Sequence, residues 1–192
     1  TKVQSLELRS LMYENLQADV TDLSEIENVR KVKVLGLLGL GLFKQLVLKI
    51  DYENQNVQFF NPKEYQPDVN FKVHPIKLRS NIMSLTGSVD GEKLQFAIDT
   101  GAELNAISSD LSENVDALFN IKNRKRLSGV GESVEVFTGE FKKITIDEIE
   151  YTNMNTLMIN LEPISYAYGF KVDGILGYEW LSKKKTVTFH LP

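Results

Sequence analysis

FAIDTGAELNAIS, residues 96–108, is the stretch on which the reading of this chain turns. An apolar run from Leu94 to Ile98 ends on Asp99; Thr100, Gly101 and Ala102 follow, and a second small apolar patch begins after Asn105. Asp99 is therefore either a turn aspartate at a strand end or one carboxylate of a catalytic pair. The residue types around it suit the second role. Thr100 offers a hydroxyl. Gly101 and Ala102 leave room for backbone to approach the carboxylate, and Gly101 can take a φ closed to other residues. Backbone N–H groups aimed at a carboxylate favour its ionised form. A second aspartate about 3 Å away would make the pair share one proton. The ionised member then draws a proton from water while the protonated one donates to a carbonyl oxygen, so an amide can be hydrolysed without a metal or a covalent intermediate.

Composition narrows the alternatives. The 192 residues suffice for one ordinary domain or two small ones, and 42% hydrophobic with 25% charged residues is the balance of a folded, soluble protein. A net charge of −4 gives no reason to expect nucleic acid as a partner. The absence of cysteine excludes disulfides and thiolate chemistry. With only His74 and His190, neither a histidine-rich metal site nor a histidine-based triad is expected. The longest uncharged apolar run, VLGLLGLGLF at 34–43, is about half a membrane span, and its glycines suggest buried strand and turn. No signal peptide is visible at the N-terminus.

The chain repeats itself. A shift of 138 positions aligns Leu6 to Phe43 with Ile144 to Leu181 without a gap. Leu6, Leu8 and Leu11 fall on Ile144, Ile146 and Ile149; Tyr13 falls on Tyr151 and Asn15 on Asn153. Gly36-Leu37-Leu38-Gly39 falls on Gly174-Ile175-Leu176-Gly177. Two copies of one unit are expected: a complete one at 69–192, and at 1–61 only the C-terminal part of another, joined by a Pro-containing linker at 62–68.

The element pattern is mainly β. Residues 46–60 suggest two strands around Glu53-Asn54-Gln55-Asn56, Phe71–Leu78 alternates as a strand does, and 82–99 suggests a hairpin turning at Asp90-Gly91. Further strands are expected at Val134–Phe137, Lys143–Ile146, Leu157–Asn160 and Thr186–Phe189, with short helices at Asp110–Phe119 and Tyr178–Lys184.

Phe96-Ala-Ile-Asp-Thr-Gly-Ala102 with Asn105-Ala-Ile-Ser108 resembles the active-site motif of the retropepsin-like and pepsin-like aspartic proteases. Some 75 positions downstream, Gly174-Ile175-Leu176-Gly177 and then Tyr178-Glu179-Trp180-Leu181 resemble the family's apolar-apolar-Gly segment and its short helix. The subgroup it is most similar to is the two-lobed bacterial aspartyl proteases. The resemblance implies an all-β acid-protease barrel, with one complete lobe plus the C-terminal part of a second. It implies an aspartic endopeptidase with Asp99 as a catalytic carboxylate and with Thr100, Gly101 and Ala102 supporting the active-site loop. Gly129-Val130-Gly131 is the candidate flap over substrate, an ordinary hairpin being the other reading. No metal or organic cofactor is implied. The substrate would be an extended peptide or protein segment lying between lobes. Export to the periplasm or beyond fits the subgroup, although no residue here specifies it.

The family uses two Asp-Thr-Gly loops, and this sequence has one. Shifted back by the repeat offset, the partner of Asp99 falls about 39 residues before Thr1. The expected partner is thus a missing N-terminal half-lobe, as a separate chain or a symmetry mate; a homodimer pairing two copies of Asp99 is the other arrangement. A catalytically silent relative that binds a peptide or ligand in the cleft is the alternative from a different functional class. The Gly36–Lys44 run lacks the Gly-Lys-Ser/Thr ending of a phosphate loop. Lys183-Lys184-Lys185 and Arg124-Lys125-Arg126 suggest solvated surface. His74 suggests a structural role, Asp173 a loop position, and Trp180 and Tyr178 helix packing.

Overall fold

The computed structural model describes residues 1–9, 11–89, 91–114, 119–127 and 134–191. They divide into two compact units, Thr1–Leu37 and the residues from Leu38 onward.

The first unit holds an antiparallel hairpin, β1 (Lys2–Leu8) and β2 (Leu11–Gln17), and a short helix, α1 (Ser24–Arg30). Lys31 ends the helix in the left-handed region at φ 55, its N–H donating to the Glu27 carbonyl. Beyond it, Val34–Gly39 forms no strand and is largely exposed. The buried strand expected at 34–43 is therefore absent: only the 3-10 turn Leu40–Phe43 is regular, and only Phe43 in it is buried. Apolar composition alone does not make a strand; among the described residues no strand pairs with the run to take its backbone hydrogen bonds.

The second unit carries two sheets. A three-stranded antiparallel sheet runs β13-β3-β4, built from β3 (Val47–Asp51), β4 (Asn56–Phe60) and β13 (Thr186–His190). Val47, Leu48 and Phe189 in it, and Leu191 just past β13, are buried, and Phe43 stacks on Phe59 with ring centroids 4.8 Å apart.

The larger sheet has eight strands: β5 (Lys77–Arg79), β6 (Ile82–Val89), β7 (Glu92–Ile98), β8 (Asn105–Ser108), β9 (Phe119–Leu127), β10 (Val134–Ile146), β11 (Ile149–Ile159) and β12 (Gly174–Leu176), in the order β5-β6-β7-β12-β8-β11-β10-β9. A further pairing, Thr145 with Ser88, joins β10 to β6 and bends the sheet back on itself as in a barrel. Strands β8 and β12 are wholly buried, and β6 and β7 bury most of their residues, Thr86, Glu92 and Lys93 being exposed. Strands covered on both faces need no strict alternation of apolar and polar residues.

Several boundaries differ from the sequence pattern. The two strands expected within 134–146 are one 13-residue strand. Of Phe71–Leu78, only Lys77 and Leu78 enter β5, consistent with Pro75 removing a donor and fixing φ. Of the helix expected at Asp110–Phe119, the first part lies in a 3-10 turn, Ser109–Asn114, and Phe119 opens β9, while residues 115–118 lie outside the described residues. Helix α2 (Glu162–Tyr168) had no sequence signal, whereas α3 (Tyr178–Leu181) falls where a helix was expected. The turn between β6 and β7 contains Gly91 at φ 85, as a tight hairpin requires; Asp90 lies outside the described residues, as does Gly129-Val130-Gly131.

The repeat is visible in the geometry. Six pairings of the β1–β2 hairpin, from Lys2 with Gln17 to Leu8 with Leu11, recur 138 positions later from Glu140 with Asn155 to Ile146 with Ile149. Both ladders skip one rung at the same place, where Asn15 and Asn153 have φ of 55 and 53. Helices α1 and α2 coincide under the same shift.

Candidate active site

The site is built on β12. This strand lies between β7, to which it is parallel, and β8, to which it is antiparallel. Gly174 pairs with Phe96 on one side and Ile107 on the other. Such close strands leave no room for a side chain: a Cβ on Gly174 would lie 2.5 Å from Phe96 Cε1 and 2.8 Å from the Ala106 carbonyl oxygen. The glycine that opens the Gly174-Ile175-Leu176-Gly177 segment is thus dictated by packing.

Strand β7 delivers Asp99 to the edge of this layer. The Asp99 N–H donates to the Leu176 carbonyl at 3.0 Å, tying the start of the loop to the end of β12. The Gly101 N–H donates to Asp99 Oδ1 at 2.8 Å, and the Ala102 N–H to the Asp99 carbonyl at 3.3 Å. The loop is then anchored to the helix that follows β12: the Tyr178 N–H donates to the Ala102 carbonyl at 2.7 Å. At Gly177 a Cβ would lie 2.5 Å from the Ala102 carbonyl oxygen and 2.6 Å from that of Leu104. Residues 99–102 and 174–178, distant in sequence, therefore form one hydrogen-bonded knot.

Asp99, Thr100 and Gly101 are exposed and Ala102 half-buried. Gly101 does not take a left-handed φ, contrary to the expectation from its residue type. Its constraint is proximity, since a Cβ there would lie 3.2 Å from Asp99 Oδ1. Among the described residues no cluster of three or more His, Cys, Asp or Glu could hold a metal.

Two polar residues support the knot that sequence reasoning did not single out for it. Asn105, 2% exposed, accepts the Gly177 N–H on Oδ1 at 3.0 Å, and its Nδ2 has no partner among the described residues. Asp173, 5% exposed, is more than a loop position. Its Oδ2 accepts the Gln95 N–H, its own N–H donates to the Gln95 carbonyl, its carbonyl accepts the Ser108 N–H, and Lys171 Nζ lies 2.8 Å from Oδ1. It thereby laces β7, β8 and β12 together, and the ion pair raises the Lys171 pKa, through the hydrogen bond first and the charge second.

Trp180 is buried and meets Tyr151 edge-on, whereas Tyr178 is half exposed against Tyr52. His74 pairs with Asp147 at 2.7 Å. Lys183 and Lys185 form surface ion pairs with Glu179 and Glu53, and Lys184 donates to the Tyr151 hydroxyl. Tyr168, at the end of α2, is half-buried. Its pKa is raised, by burial first and by the negative charge of Asp99 second.

An aspartate loop locked onto a glycine-flanked strand, within an all-β sheet curling toward a barrel, defines the acid-protease class of fold. A family model described as aspartyl protease matches residues 85–180, half of the chain and the whole of this knot. The chain belongs to the aspartyl protease family, and its class is that of the aspartic-type peptidases, hydrolases of peptide bonds. Solved structures similar to it include a retropepsin-like aspartic protease from Rickettsia conorii, 17% identical, with 59% of this chain and 86% of that chain covered and a TM-score of 0.39. The EIAV protease complexed with the inhibitor HBY-793 is also 17% identical, with 61% and 93% covered and a TM-score of 0.39. A search of curated proteins gives no match. Among the described residues, no helix is long and apolar enough to cross a membrane.

Proposed function

We propose that Asp99 is one of two aspartates that activate water for endoproteolytic cleavage of an extended peptide, the second aspartate coming from another lobe. The observation that carries this reading is the anchoring of an exposed carboxylate by the Asp99 N–H bond to Leu176 and the Gly101 N–H bond to Oδ1. The bond to Oδ1 is an Asx turn of the kind Asp22 and Asp68 also make; what sets Asp99 apart is the long-range bond to Leu176, which fixes it on β12 as a general acid or base must be held. Thr100 bonds across to the facing loop, a role its exposure supports, and Gly101 and Ala102 shape the loop. Gly129-Val130-Gly131 lies between β9 and β10 in the chain and is the candidate flap.

The shared hairpin register supports residues 1–61 as the C-terminal part of one lobe, 62–68 as linker and 69–192 as a complete lobe. One carboxylate cannot serve as both acid and base, so cleavage belongs to the assembly in which Asp99 meets its counterpart. In the full-length active protein, Asp99→Asn should lower the cleavage rate of an unfolded protein substrate by about 10²–10⁴-fold, the scale of a lost general acid–base group. An Asp99→Asn protein that cleaves at the wild-type rate would refute this reading.

A further inference from the structure

Asp99 shares a row of the sheet with a cation. Arg79 on β5 pairs with Ile82 on β6, and one step past the rung of Met83 with Ile98 brings Ile82 level with Asp99. Two strand spacings, about 10 Å, therefore separate Arg79 from Asp99. Side chains paired across neighbouring strands share a face of the sheet. Residues from α2 and just beyond it cover this face: Ile82, Ala102, Tyr168 and Phe170 all pack on the cluster that holds Ala97 and Ile175. The rings of Tyr168 and Phe170 have centroids 6.1 Å apart, and Tyr168 is close enough to Asp99 to feel its charge.

The Arg79 side chain reaches this aromatic pair. Its Cζ lies 5.9 Å from the centroid of Phe170, within the range at which a ring attracts a guanidinium. Arg79 is exposed, and among the described residues its guanidinium meets no carboxylate. The nearby cation Lys171 differs, since it is paired with the buried Asp173. A ring covers only a flat side of a guanidinium. The N–H donors lie in the plane and point away from it. The ring also restrains the side chain in advance, which reduces the ordering cost of binding. The ligand that such a fork fits is a carboxylate, held by two parallel hydrogen bonds.

We propose that Arg79, steadied by Phe170, selects an acidic side chain, Glu or Asp, on the peptide that Asp99 acts on. The extended peptide passes Asp99 with that side chain turned toward β5 and the aromatic pair. Asp99 lies about a Debye length away, so its own charge does little to repel the acid. That the peptide is then cleaved rests on the reading of Asp99 above; recognition of the acid does not.

The test is equilibrium binding to the full-length protein carrying Asp99→Asn, followed by fluorescence anisotropy. The probes are labelled octapeptides of Leu, Ala and Phe with a single Glu, or a single Gln, at each position in turn. At one position Glu should bind about tenfold more tightly than Gln. Arg79→Gln, an exposed change that leaves the fold intact, should abolish that difference while keeping the affinity for the Gln peptide within about twofold. Arg79→Glu should reverse it, so that Lys at the same position binds best. The proposal is overturned if no peptide binds, if no position favours Glu, if the preference survives Arg79→Gln, or if Arg79→Gln weakens Glu and Gln peptides alike. A Glu preference that depends on Arg79, in a protein whose cleavage is indifferent to Asp99→Asn, would overturn the catalytic reading alone. Equal binding of Glu and Gln, in a protein that Asp99→Asn silences, would overturn this one alone.

Discussion

Tyr168 reports on Asp99 from the neighbouring helix. Its pKa is raised, mainly by burial and further by the Asp99 charge. In an Asp99→Asn chain, the phenol should therefore titrate lower than in the parent but still above the ordinary 10.0, because burial persists; ultraviolet absorbance of the phenolate follows it. The sign for stability runs with the raised value. The folded state holds the proton more tightly, so the stabilisation is complete below 10.0 and is lost as pH climbs through the folded-state value. Tyr168→Phe should flatten that alkaline loss in urea melts. At this scale the sequence disclosed the aspartate and its glycines, because residue type and spacing carry that chemistry. It did not disclose Asp173 or Asn105, whose roles come from strands that meet only after folding.

Two hairpins 138 positions apart share one register and one irregularity, Asn15 and Asn153 with positive φ inside strands. Asparagine tolerates that region; a β-branched residue does not. Asn153→Val should cost about 1–2 kcal/mol in urea unfolding, and Asn153→Gly should cost little. The turns were less legible. Asp147-Glu148 and Ser80-Asn81 both take positive φ between paired strands, the geometry of a tight hairpin, without the Asn-Gly signature that announces one. Helices α1 and α2 were missed because seven residues give too short a window for a 3.6-residue period to stand out.

The sheet β13-β3-β4 links residues far apart along the chain. Strands β3 and β13 occupy corresponding places after the two short helical turns, offset by one extra residue, and they pair with each other from Val47 with His190 to Asp51 with Thr186. The 62–68 segment connects β4 to the rest and carries none of this ladder. A protease cut within 62–68 should leave two fragments that co-elute in size-exclusion chromatography. Val187→Pro, which disrupts the ladder opposite Ile50, should weaken their association by about tenfold or more. That 62–68 forms neither helix nor strand was legible from its prolines. The β3–β13 partnership was not, because no local pattern names a strand's distant neighbour.

That ladder has its centre at Lys49 and Thr188, and exchanging the two strands end for end reproduces it. Its backbone pairing has the two-fold symmetry of a homodimer contact, although the side chains of Val47–Asp51 and Thr186–His190 differ. The same hydrogen bonds would form whether the strands belong to one polypeptide or to two identical ones. A break in the chain elsewhere therefore leaves the geometry of this ladder unchanged.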